Sequence, residues 1–437
     1  MSKLNVFSMF DGVGGFIIGL NNADNTYYTT KYSNQYEPSR KAQDAFEVGK
    51  YRFPDMEHIG VDVATIPDAK FEEMKDNGVN MIVGGFPCQD YSVAHTGAKG
   101  IQGKKGVLFW EIIRATENIR PKYLILENVD RLLKSPSSQR GRDFAIMLKA
   151  FNDLGYSLEW RVINAAEYGE AQRRRRVFFY VYRNDTPWGK KTQEMLQDNG
   201  EVESLEDLAS NPYEDYIFKK GLFARQFPIK QEPVKNRVAE YTLDDDIVEI
   251  SDNFTGKVFN TGIMHNGHYY TIETAPTGDE KPRTLGEIIQ PVEDVDEKYY
   301  FDESDPKDKA KLEKFAYLRG PKKIKRKSAD GHEYTYSEGG MSAYDSLDLP
   351  SRTMLTSEGT TNRSTHFLKV GERYRLLTPI EAERLQDFPD DWTKYKLNEK
   401  GEVVEVSDRM RMFFMGNALV TGIVKRIGIE LKKLDSM

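Results

Sequence analysis

The chain has 437 residues and a formal net charge of −7, with 39% hydrophobic and 30% charged residues. This length exceeds what one hydrophobic core usually organises, so we expect two structural units, and the negative charge excludes a global basic field for nucleic acid. The chain has neither an apolar run of roughly 18 residues nor a signal-peptide pattern, which predicts a cytoplasmic protein with no membrane partner. The single cysteine excludes an intramolecular disulfide and a multi-cysteine zinc site, and no metal is expected.

Short apolar runs alternate with amphipathic stretches from residue 4 to residue 182, which predicts repeated strand and helix units. The predicted strands read NVFSMF, MIVGGF, YLILENV and RVFFYVY. The predicted helices read SRKAQDAFEVG, GVLFWEIIRATENI and RDFAIMLKAFNDLG. This alternation predicts an α/β fold with a mostly parallel sheet covered by helices, and we assign residues 1–185 to this first domain.

The composition changes after residue 185, where an acidic and irregular region precedes the basic stretch RGPKKIKRK. We therefore expect a second, smaller domain over residues 186–408. The stretch TPIEAERLQDFPDDW predicts a capped helix followed by a turn. The last stretch, GNALVTGIVKRIGIELKKL, predicts a final helix whose small residues favour close packing. Residues 409–437 are expected to return to the first domain.

Glycines follow the first predicted strand in the motif FSMFDGVGGF, at Gly12, Gly14 and Gly15. Glycines in this place permit a tight turn and the close approach of a ligand, and the next helix offers its free amide groups. The spacing differs from the GxGxxG fingerprint of dinucleotide-binding proteins. By itself the motif fits an ordinary turn as well as it fits a cofactor loop.

The only cysteine, Cys88, lies in the motif GGFPCQDYS directly after the second predicted strand. Open parallel sheets bind ligands at the carboxyl ends of their strands, so a thiol in this loop faces a substrate. A lone cysteine is more often a small buried hydrophobic residue, but the preceding proline and the loop favour exposure. The glycines and lysines of residues 97–106 suit either a lid over a phosphate-bearing polymer or a plain solvated loop.

Two further motifs place charged side chains beside apolar strands. Glu127 follows the apolar run of LILENV, where burial would raise its pKa and let it donate a hydrogen bond to a ring nitrogen. A helix cap or a solvated strand end is the alternative. In QRRRRV, an extended strand directs Arg174 and Arg176 to one face, and Arg173 and Arg175 to the other. Some of these guanidinium groups must lie near buried surface, where they need anionic partners.

Taken in order, the motifs FDGVGGF, GGFPCQDYS, ENV, QRRRRV and GNALV resemble the DNA (cytosine-5)-methyltransferase family of bacterial or phage type. The resemblance covers about residues 4–182 and 352–431. It implies the Rossmann-like fold of S-adenosylmethionine-dependent methyltransferases, with a smaller target-recognition domain over residues 186–408. It also implies methylation of carbon-5 of cytosine in a specific duplex DNA sequence, through a covalent cysteine adduct on a flipped-out base.

The resemblance implies a role for residues at each motif. The implied catalytic residues are Cys88, Glu127, Arg174 and Arg176, and the implied cofactor-binding residues are Phe10, Gly12, Gly14, Gln35, Tyr36, Asp62, Pro87 and Asn417. In these roles Cys88 adds to carbon-6 of cytosine, Glu127 engages ring nitrogen 3, and Tyr36 packs on the adenine of S-adenosylmethionine. Two positions depart from the family, because Gln35 replaces a ribose-binding carboxylate and Ala418 replaces a serine.

Two other functions share these motifs. A tRNA cytosine-5 methyltransferase of the related subgroup carries a second cysteine-bearing motif, which this chain lacks. A non-catalytic DNA-binding relative would show damage at the nucleophile or at the glutamate, and both residues are present. Double-stranded DNA is therefore the expected partner. We also expect a cognate restriction endonuclease in the same system, a monomer on DNA, and association with the nucleoid through DNA.

Overall fold

The computed structural model of the chain describes residues 3–86, 108–197, 211–232, 237–328 and 331–437. Ten strands of these residues form one sheet, in the order β3-β2-β1-β4-β5-β7-β6-β9-β10-β8. Their bounds are β1 (Leu4–Met9), β2 (Tyr28–Asn34), β3 (Glu57–Ile59), β4 (Met81–Gly85), β5 (Tyr123–Val129), β6 (Tyr156–Asn164), β7 (Arg175–Arg183), β8 (Val238–Thr242), β9 (Thr261–His265) and β10 (His268–Ile272).

One half of this sheet is parallel and the other half is antiparallel. The pairings among β3, β2, β1, β4 and β5 are parallel. Every pairing from β5 through β7, β6, β9 and β10 to β8 is antiparallel. The predicted α/β class is confirmed, but the sheet is mixed instead of mostly parallel, because β6 returns as a hairpin into β7 and three later strands extend that side.

The main sheet also extends beyond the residues that were expected to form the first domain. β9 pairs with β6, and β10 and β8 follow it, so residues 238–272 continue the sheet that begins at residue 4. The boundary at residue 186 stays a prediction. Hydrogen bonding between strands joins part of the second predicted domain to the first.

Helices cover both faces of the sheet. The helices of the described residues are α1 (Gly15–Asp24), α2 (Asp44–Arg52), α3 (Asp68–Asp76), α4 (Leu108–Ile119), α5 (Arg142–Asp153), α6 (Pro187–Gln197), α7 (Pro212–Asp215), α8 (Leu222–Gln226), α9 (Ile247–Asn253), α10 (Leu285–Ile288), α11 (Pro306–Arg319), α12 (Pro379–Leu385), α13 (Asp408–Asn417) and α14 (Thr421–Asp435). Leu124 and Leu126 of β5 belong to one hydrophobic core, with side chains of α4 and α5. Tyr123 and Ile125 belong to a second core, with side chains of α1 and α14. The sheet is therefore buried on both faces.

The predicted strands and two of the three predicted helices of the first 182 residues are confirmed with small shifts at their ends, whereas the helix predicted over residues 39–49 begins only at Asp44. YLILENV is β5 without change, and RVFFYVY is β7 with one further residue at each end. β2 and β6 were not among the predicted strands, because polar and charged side chains interrupt both sequences. Glu159 and Arg161 of β6 are buried nonetheless, and groups of residues 216–227 bind them: Arg161 donates to two backbone carbonyls, and Glu159 accepts from a backbone amide and a tyrosine hydroxyl. The local sequence of β6 does not indicate these hydrogen bonds, because their partners lie far along the chain.

The final helix α14 packs closely against α1. A Cβ added at Gly19 would lie 2.5 Å from Cβ of Val424, and one added at Gly428 would lie 2.9 Å from Cβ of Ala23. Only glycine permits this approach at either position.

Among the described residues, no single helix is long and apolar enough to cross a membrane. The bent pair of α13 and α14, with 42° between them, meets that test jointly, by length and composition only.

The later part of the chain adds three two-stranded ribbons within the described residues. They are formed by β11 (Lys322–Lys327) with β12 (Glu333–Glu338), β13 (Phe367–Val370) with β14 (Arg373–Leu376), and β15 (Tyr395–Leu397) with β16 (Val403–Glu405). The predicted capped helix is confirmed as α12. Its capping box is reciprocal, since the Thr378 side chain accepts from the Glu381 amide and the Glu381 side chain accepts from the Thr378 amide.

Candidate active site

A cavity of about 460 Å³ lies at the edge of the sheet where β1, β2, β4 and β5 end. The carboxyl ends of parallel strands meet at one edge, which is where open α/β sheets bind ligands. β7 runs antiparallel to β5, so its first residues reach the same edge. Eight of the residues predicted from the sequence line the cavity: Phe10, Gly12, Gln35, Tyr36, Glu127, Arg174, Arg176 and Asn417.

The turn after β1 shapes one wall of the cavity. Phe10 and Gly12 have left-handed backbone conformations, with φ of 53° and 59°. A Cβ added at Gly12 would meet no atom within 4 Å, so the backbone there is open to a ligand. At Gly14 an added Cβ would instead lie 2.6 Å from the ring of Phe53. Gly14 is therefore needed for the turn itself, and it is not among the lining residues.

Gln35, at the end of β2, has a fixed amide orientation. The Gly12 amide donates to Oε1 of Gln35 at 2.8 Å. Because the carbonyl oxygen faces Gly12, the NH₂ group of Gln35 is the end that remains to donate to a ligand. A carboxylate at this position would instead accept hydrogen bonds at both oxygens. This chain therefore offers a donor where the resemblance implied an acceptor.

Asp11 lines the cavity but was not predicted as a site residue. Its side chain is buried, and the Ser8 hydroxyl donates to its Oδ1 at 2.5 Å. Burial raises the pKa of Asp11 to about 7, and the Ser8 hydrogen bond opposes this rise only in part. One indication in the sequence that Asp11 belongs to the site was its position between the predicted site residues Phe10 and Gly12. The glycines of the motif gave no indication that this carboxyl would be buried.

Glu127 forms an ion pair with Arg176 at the wall of the cavity. Nε of Arg176 lies 2.9 Å from Oε1 of Glu127, and the side chains are 18% and 12% exposed. Burial raises the pKa of Glu127, while Arg176 and Arg174 act in the opposite direction. Gly85 lies opposite Glu127 in the pairing of β4 and β5, and an added Cβ there would lie 3.1 Å from Oε2 of Glu127. The glycine leaves room for the carboxylate.

The four consecutive arginines divide into the two predicted faces: Arg174 and Arg176 line the cavity, whereas Arg173 and Arg175 face solvent. Arg174 is buried, whereas Arg173 and Arg175 are exposed, and Arg175 pairs with Asp130 at 3.1 Å. Arg174 donates to the carbonyls of Met354 at 3.0 Å and Gly416 at 3.1 Å. Its Nε has no partner among the described residues.

Burial and the neighbouring Arg176 lower the pKa of Arg174 to about 9. Arg174 is therefore still cationic at neutral pH. Together, Arg174 and Arg176 give the cavity wall a positive potential next to the Glu127 carboxyl.

Asn128 fixes the start of the segment that carries the cysteine. Its side chain is 2% exposed and donates to the carbonyl of Phe86 at 3.0 Å. Phe86 is thereby held beside the end of β5, next to Glu127. Pro87 and Cys88 follow Phe86 in the sequence and lie outside the described residues. Their predicted roles therefore rest on the sequence.

The remaining predicted residues lie at the rim or outside the cavity. Tyr36 is 40% exposed and lines the cavity at the end of β2. Asn417 ends α13, and its neighbour Gly416 is required because an added Cβ would lie 2.4 Å from the amide nitrogen of Thr356. Asp62 accepts from the Ala64 amide at 3.0 Å and is not among the lining residues.

Two lining residues had no signal in the sequence. The guanidinium of Arg40 stacks on the ring of Phe413, 4.4 Å from its centroid. One comes from the segment after β2 and the other from α13, so only the fold brings them together. They form an amphipathic part of the wall of the cavity that Tyr36 also lines.

The cavity suits an amphipathic nucleoside cofactor. Phe10 and Tyr36 offer aromatic surface, Gly12 leaves its backbone accessible, and Gln35 offers an amide donor. The volume lies in the range of small-molecule sites, which is about 300–1,000 Å³. The ion pair of Glu127 and Arg176 adds groups for acid–base chemistry on a polar ring at the same cavity.

Comparisons with solved structures support this fold. The S. pombe Dnmt2 methyltransferase is similar with a TM-score of 0.57, 13% sequence identity and 99% coverage of both chains. A putative DNA modification methyltransferase encoded within an E. coli prophage has a TM-score of 0.50, 17% identity and full coverage of both chains. At these identities the likeness concerns the fold alone.

One sequence relative and the family model match this chain over nearly its whole length. Type II methyltransferase M.Sau3AI of Staphylococcus aureus is 52% identical over 439 residues, which cover 100% of this chain and 97% of that protein. Type II methyltransferase M.HhaI of Haemophilus parahaemolyticus is 29% identical over 185 residues, which cover 42% of this chain and 51% of that protein. The family model of C-5 cytosine-specific DNA methylases matches residues 4–433. The chain therefore belongs to the C-5 cytosine-specific DNA methylase family, and it is an enzyme that transfers a methyl group from S-adenosylmethionine to carbon-5 of cytosine in DNA.

Proposed function

We propose that Cys88, Glu127, Arg174 and Arg176 are the catalytic residues of this DNA methyltransferase. The ion pair of Glu127 with Arg176, at 2.9 Å in the wall of the cavity, is the observation that carries the assignment. The bond from Asn128 to Phe86 supports it, because it fixes the chain two residues before Cys88 at the same strand end. Buried Arg174 completes the group.

In this mechanism Cys88 is the nucleophile. Carbon-5 of cytosine is a poor nucleophile, and addition of a thiolate at carbon-6 gives the ring the enamine character that it needs. The positive potential of Arg174 and Arg176 favours the thiolate. Burial raises the pKa of Glu127, which favours the protonated form that would donate to ring nitrogen 3, where charge develops during the addition. Arg176 would hold the exocyclic oxygen. After carbon-5 has accepted the methyl group, a base or water takes the carbon-5 proton, the double bond between carbon-5 and carbon-6 re-forms, and the Cys88 thiolate leaves.

We propose that Phe10, Gly12, Gln35, Tyr36 and Asn417 hold S-adenosylmethionine, which supplies the methyl group. Tyr36 would pack on the adenine ring, and the NH₂ group of Gln35 would donate to a ribose hydroxyl. The hydrogen bond from the Gly12 amide to Oε1 of Gln35 supports this direction of donation. Gly14, Asp62 and Pro87 are proposed to shape or complete the same site.

We further propose that residues 186–408 contain the target-recognition part, and that the segment after residue 272 carries most of it. The ribbons formed by β11 to β16 lie in that segment, whereas residues 238–272 belong to the main sheet. The target base would be rotated out of the duplex into the cavity, at a cost of a few kcal/mol. Residues 409–437 are proposed to close the catalytic part through α14.

The Type II name of the relative from Staphylococcus aureus supports a restriction-modification context. We propose that the enzyme acts as a monomer on DNA in the cytoplasm, associates with the nucleoid through that DNA, and protects it from a cognate restriction endonuclease. The mass of the enzyme–DNA complex by light scattering would test the first point. One chain per duplex is expected, and two chains would contradict it.

Transfer of labelled methyl groups tests the catalytic assignment. The unaltered enzyme is incubated with S-adenosylmethionine and either duplex DNA of mixed sequence or total tRNA, and the modified cytosines are mapped. Incorporation into DNA alone is expected, and incorporation into tRNA alone would contradict the DNA substrate. Cys88→Ala should abolish transfer while cofactor and DNA binding persist. Loss of binding together with activity would show that the thiol has a structural role instead.

A further inference from the structure

The ribbon of β11 and β12 exposes lysines along one face. In the pairing of these strands Lys323 lies opposite Ser337, and Lys325 lies opposite Thr335. Because side chains alternate along a strand, these four residues point to the same side of the ribbon, and all four are exposed. We call this set the lysine face. It combines two ammonium groups with two hydroxyl groups, and all of them can donate hydrogen bonds.

The other face of the ribbon is engaged within the protein. Lys322 donates to the carbonyl of Leu318 at 2.8 Å and pairs with Glu338 at 3.0 Å. Arg326 lies over the ring of Tyr336, 4.0 Å from its centroid. By contrast, Lys323 and Lys325 have no acidic partner among the described residues. On the same side as the lysine face, Lys327 pairs with Glu333 at 3.3 Å, so Lys323 and Lys325 are the two ammonium groups that stay available to an external anion.

The base of the ribbon is held firmly. Arg363 donates to the carbonyl of Leu318 at 2.7 Å, just before β11, and to the carbonyl of Gly339, just after β12. It also pairs with Glu338 at 3.1 Å. One guanidinium thus joins the entrance and the exit of the ribbon, which fixes the orientation of its faces.

The same region is connected to the catalytic arginines. Buried Arg319, at the end of α11, pairs with Asp345 at 2.6 Å, and Asp345 also pairs with Arg352 at 2.6 Å. The next residue, Thr353, donates to the carbonyl of Arg173 at 2.5 Å. Hydrogen bonds therefore lead from the base of the ribbon to the backbone that carries Arg174. A contact made by the ribbon on DNA would therefore be connected, through these bonds, to the wall of the cavity.

We propose that the lysine face binds phosphate groups of duplex DNA next to the target bases, and so positions the duplex for base flipping. Phosphates suit this face better than base edges, because ammonium groups are point charges and hydroxyls are common donors to the DNA backbone. The net charge of −7 makes such a local cationic surface necessary for attraction to DNA. This inference rests on the proposed location of target recognition within residues 186–408.

The salt dependence of DNA binding tests the proposal. The full-length double variant Lys323→Gln/Lys325→Gln is compared with the unaltered enzyme and with Lys309→Gln/Lys314→Gln, which removes two exposed lysines from α11. The dissociation constant for a duplex of mixed sequence is measured by fluorescence anisotropy over a KCl series. Loss of two phosphate contacts should lower the slope of log K against log salt by about 1.8 and weaken binding roughly tenfold.

The proposal predicts that Lys323→Arg/Lys325→Arg keeps the slope and that the α11 control does so as well. An unchanged slope in Lys323→Gln/Lys325→Gln would overturn it, and so would an equal loss in the α11 control. A loss restricted to duplexes that contain the methylated sequence would also overturn it, because the ribbon would then read bases. Binding is measured without turnover, so a failure of the catalytic assignment would appear in the methyl-transfer assay alone.

Discussion

The chain contains two runs of basic residues in extended strands, QRRRRV at residues 172–177 and KKIKRK at residues 322–327, and they have opposite environments. Arg174 and Arg176, in the first run, turn into the cavity, where Glu127 and backbone carbonyls meet them. Lys323 and Lys325, in the second run, face solvent. Both runs alternate with the period of a strand.

The difference comes from what covers each strand. Arg176 begins the covered part of β7 and Arg174 lies just before that strand, and both side chains line the cavity at the edge of the sheet, where they meet partners. The ribbon has only two strands, and nothing among the described residues covers its lysine face. A basic run in a central strand thus builds a site for one bound group, whereas a basic run in an isolated ribbon offers a surface to a polyanion.

The sharpest test of the arginine run at residues 172–177 is a substitution of its acidic partner, Glu127. Glu127→Gln should lower the rate of methyl transfer by about 10²–10⁴-fold, because it removes the proton donor to ring nitrogen 3. In the unaltered enzyme the rate should also fall as the pH rises through the raised pKa of Glu127, since the protonated form is lost. Single-turnover rates over a pH series measure both effects. If the Glu127→Gln variant shows the same fall in rate with rising pH, another group is responsible for the titration.

The alternation of the arginines gives a matched pair of variants. Arg174→Ala should lower the methyl-transfer rate roughly 10²–10³-fold, since it removes a preorganised buried cation from the cavity. Arg175→Ala removes an exposed neighbour whose pair with Asp130 is worth little, and it should retain most of the rate. Rates at saturating DNA and cofactor provide the comparison. Equal losses in both variants would mean that the run acts by its total charge.

Asp345 connects the two basic regions. Burial alone would raise its pKa, but the hydrogen bond from Arg352 and the charges of His366, Arg352 and Arg319 hold the pKa well below its usual value. Asp345→Asn leaves Arg319 buried without a counter-charge, and it should lower the free energy of unfolding by about 3–5 kcal/mol. Denaturant unfolding measures this change. The exposed Asp348→Asn is the control, and an equal effect there would contradict a specific role for Asp345.

Removal of the two hydroxyl groups of the lysine face should have the smallest effect of these substitutions. Thr335→Ala/Ser337→Ala removes two neutral donors, and it should weaken duplex binding only about two- to threefold. The salt slope should stay unchanged, because a hydroxyl releases no counterions from DNA. Anisotropy titrations over the same KCl series measure both quantities. A reduced slope would indicate that the alanines move the lysines instead of removing donors.

Local sequence patterns determined the α/β class, the strands that hold Glu127 and the arginines, and the alternation of those arginines, because apolar runs and a period of two are read directly from neighbouring residues. Tertiary structure decided the rest. β6 carries buried charged residues whose hydrogen-bond partners lie more than 50 residues further along the chain. The folded chain buries the Asp11 carboxyl, and β8, β9 and β10 join the main sheet by pairing with distant strands. The sequence showed that KKIKRK is basic, and the pairing of β11 with β12 decided which of its lysines face solvent.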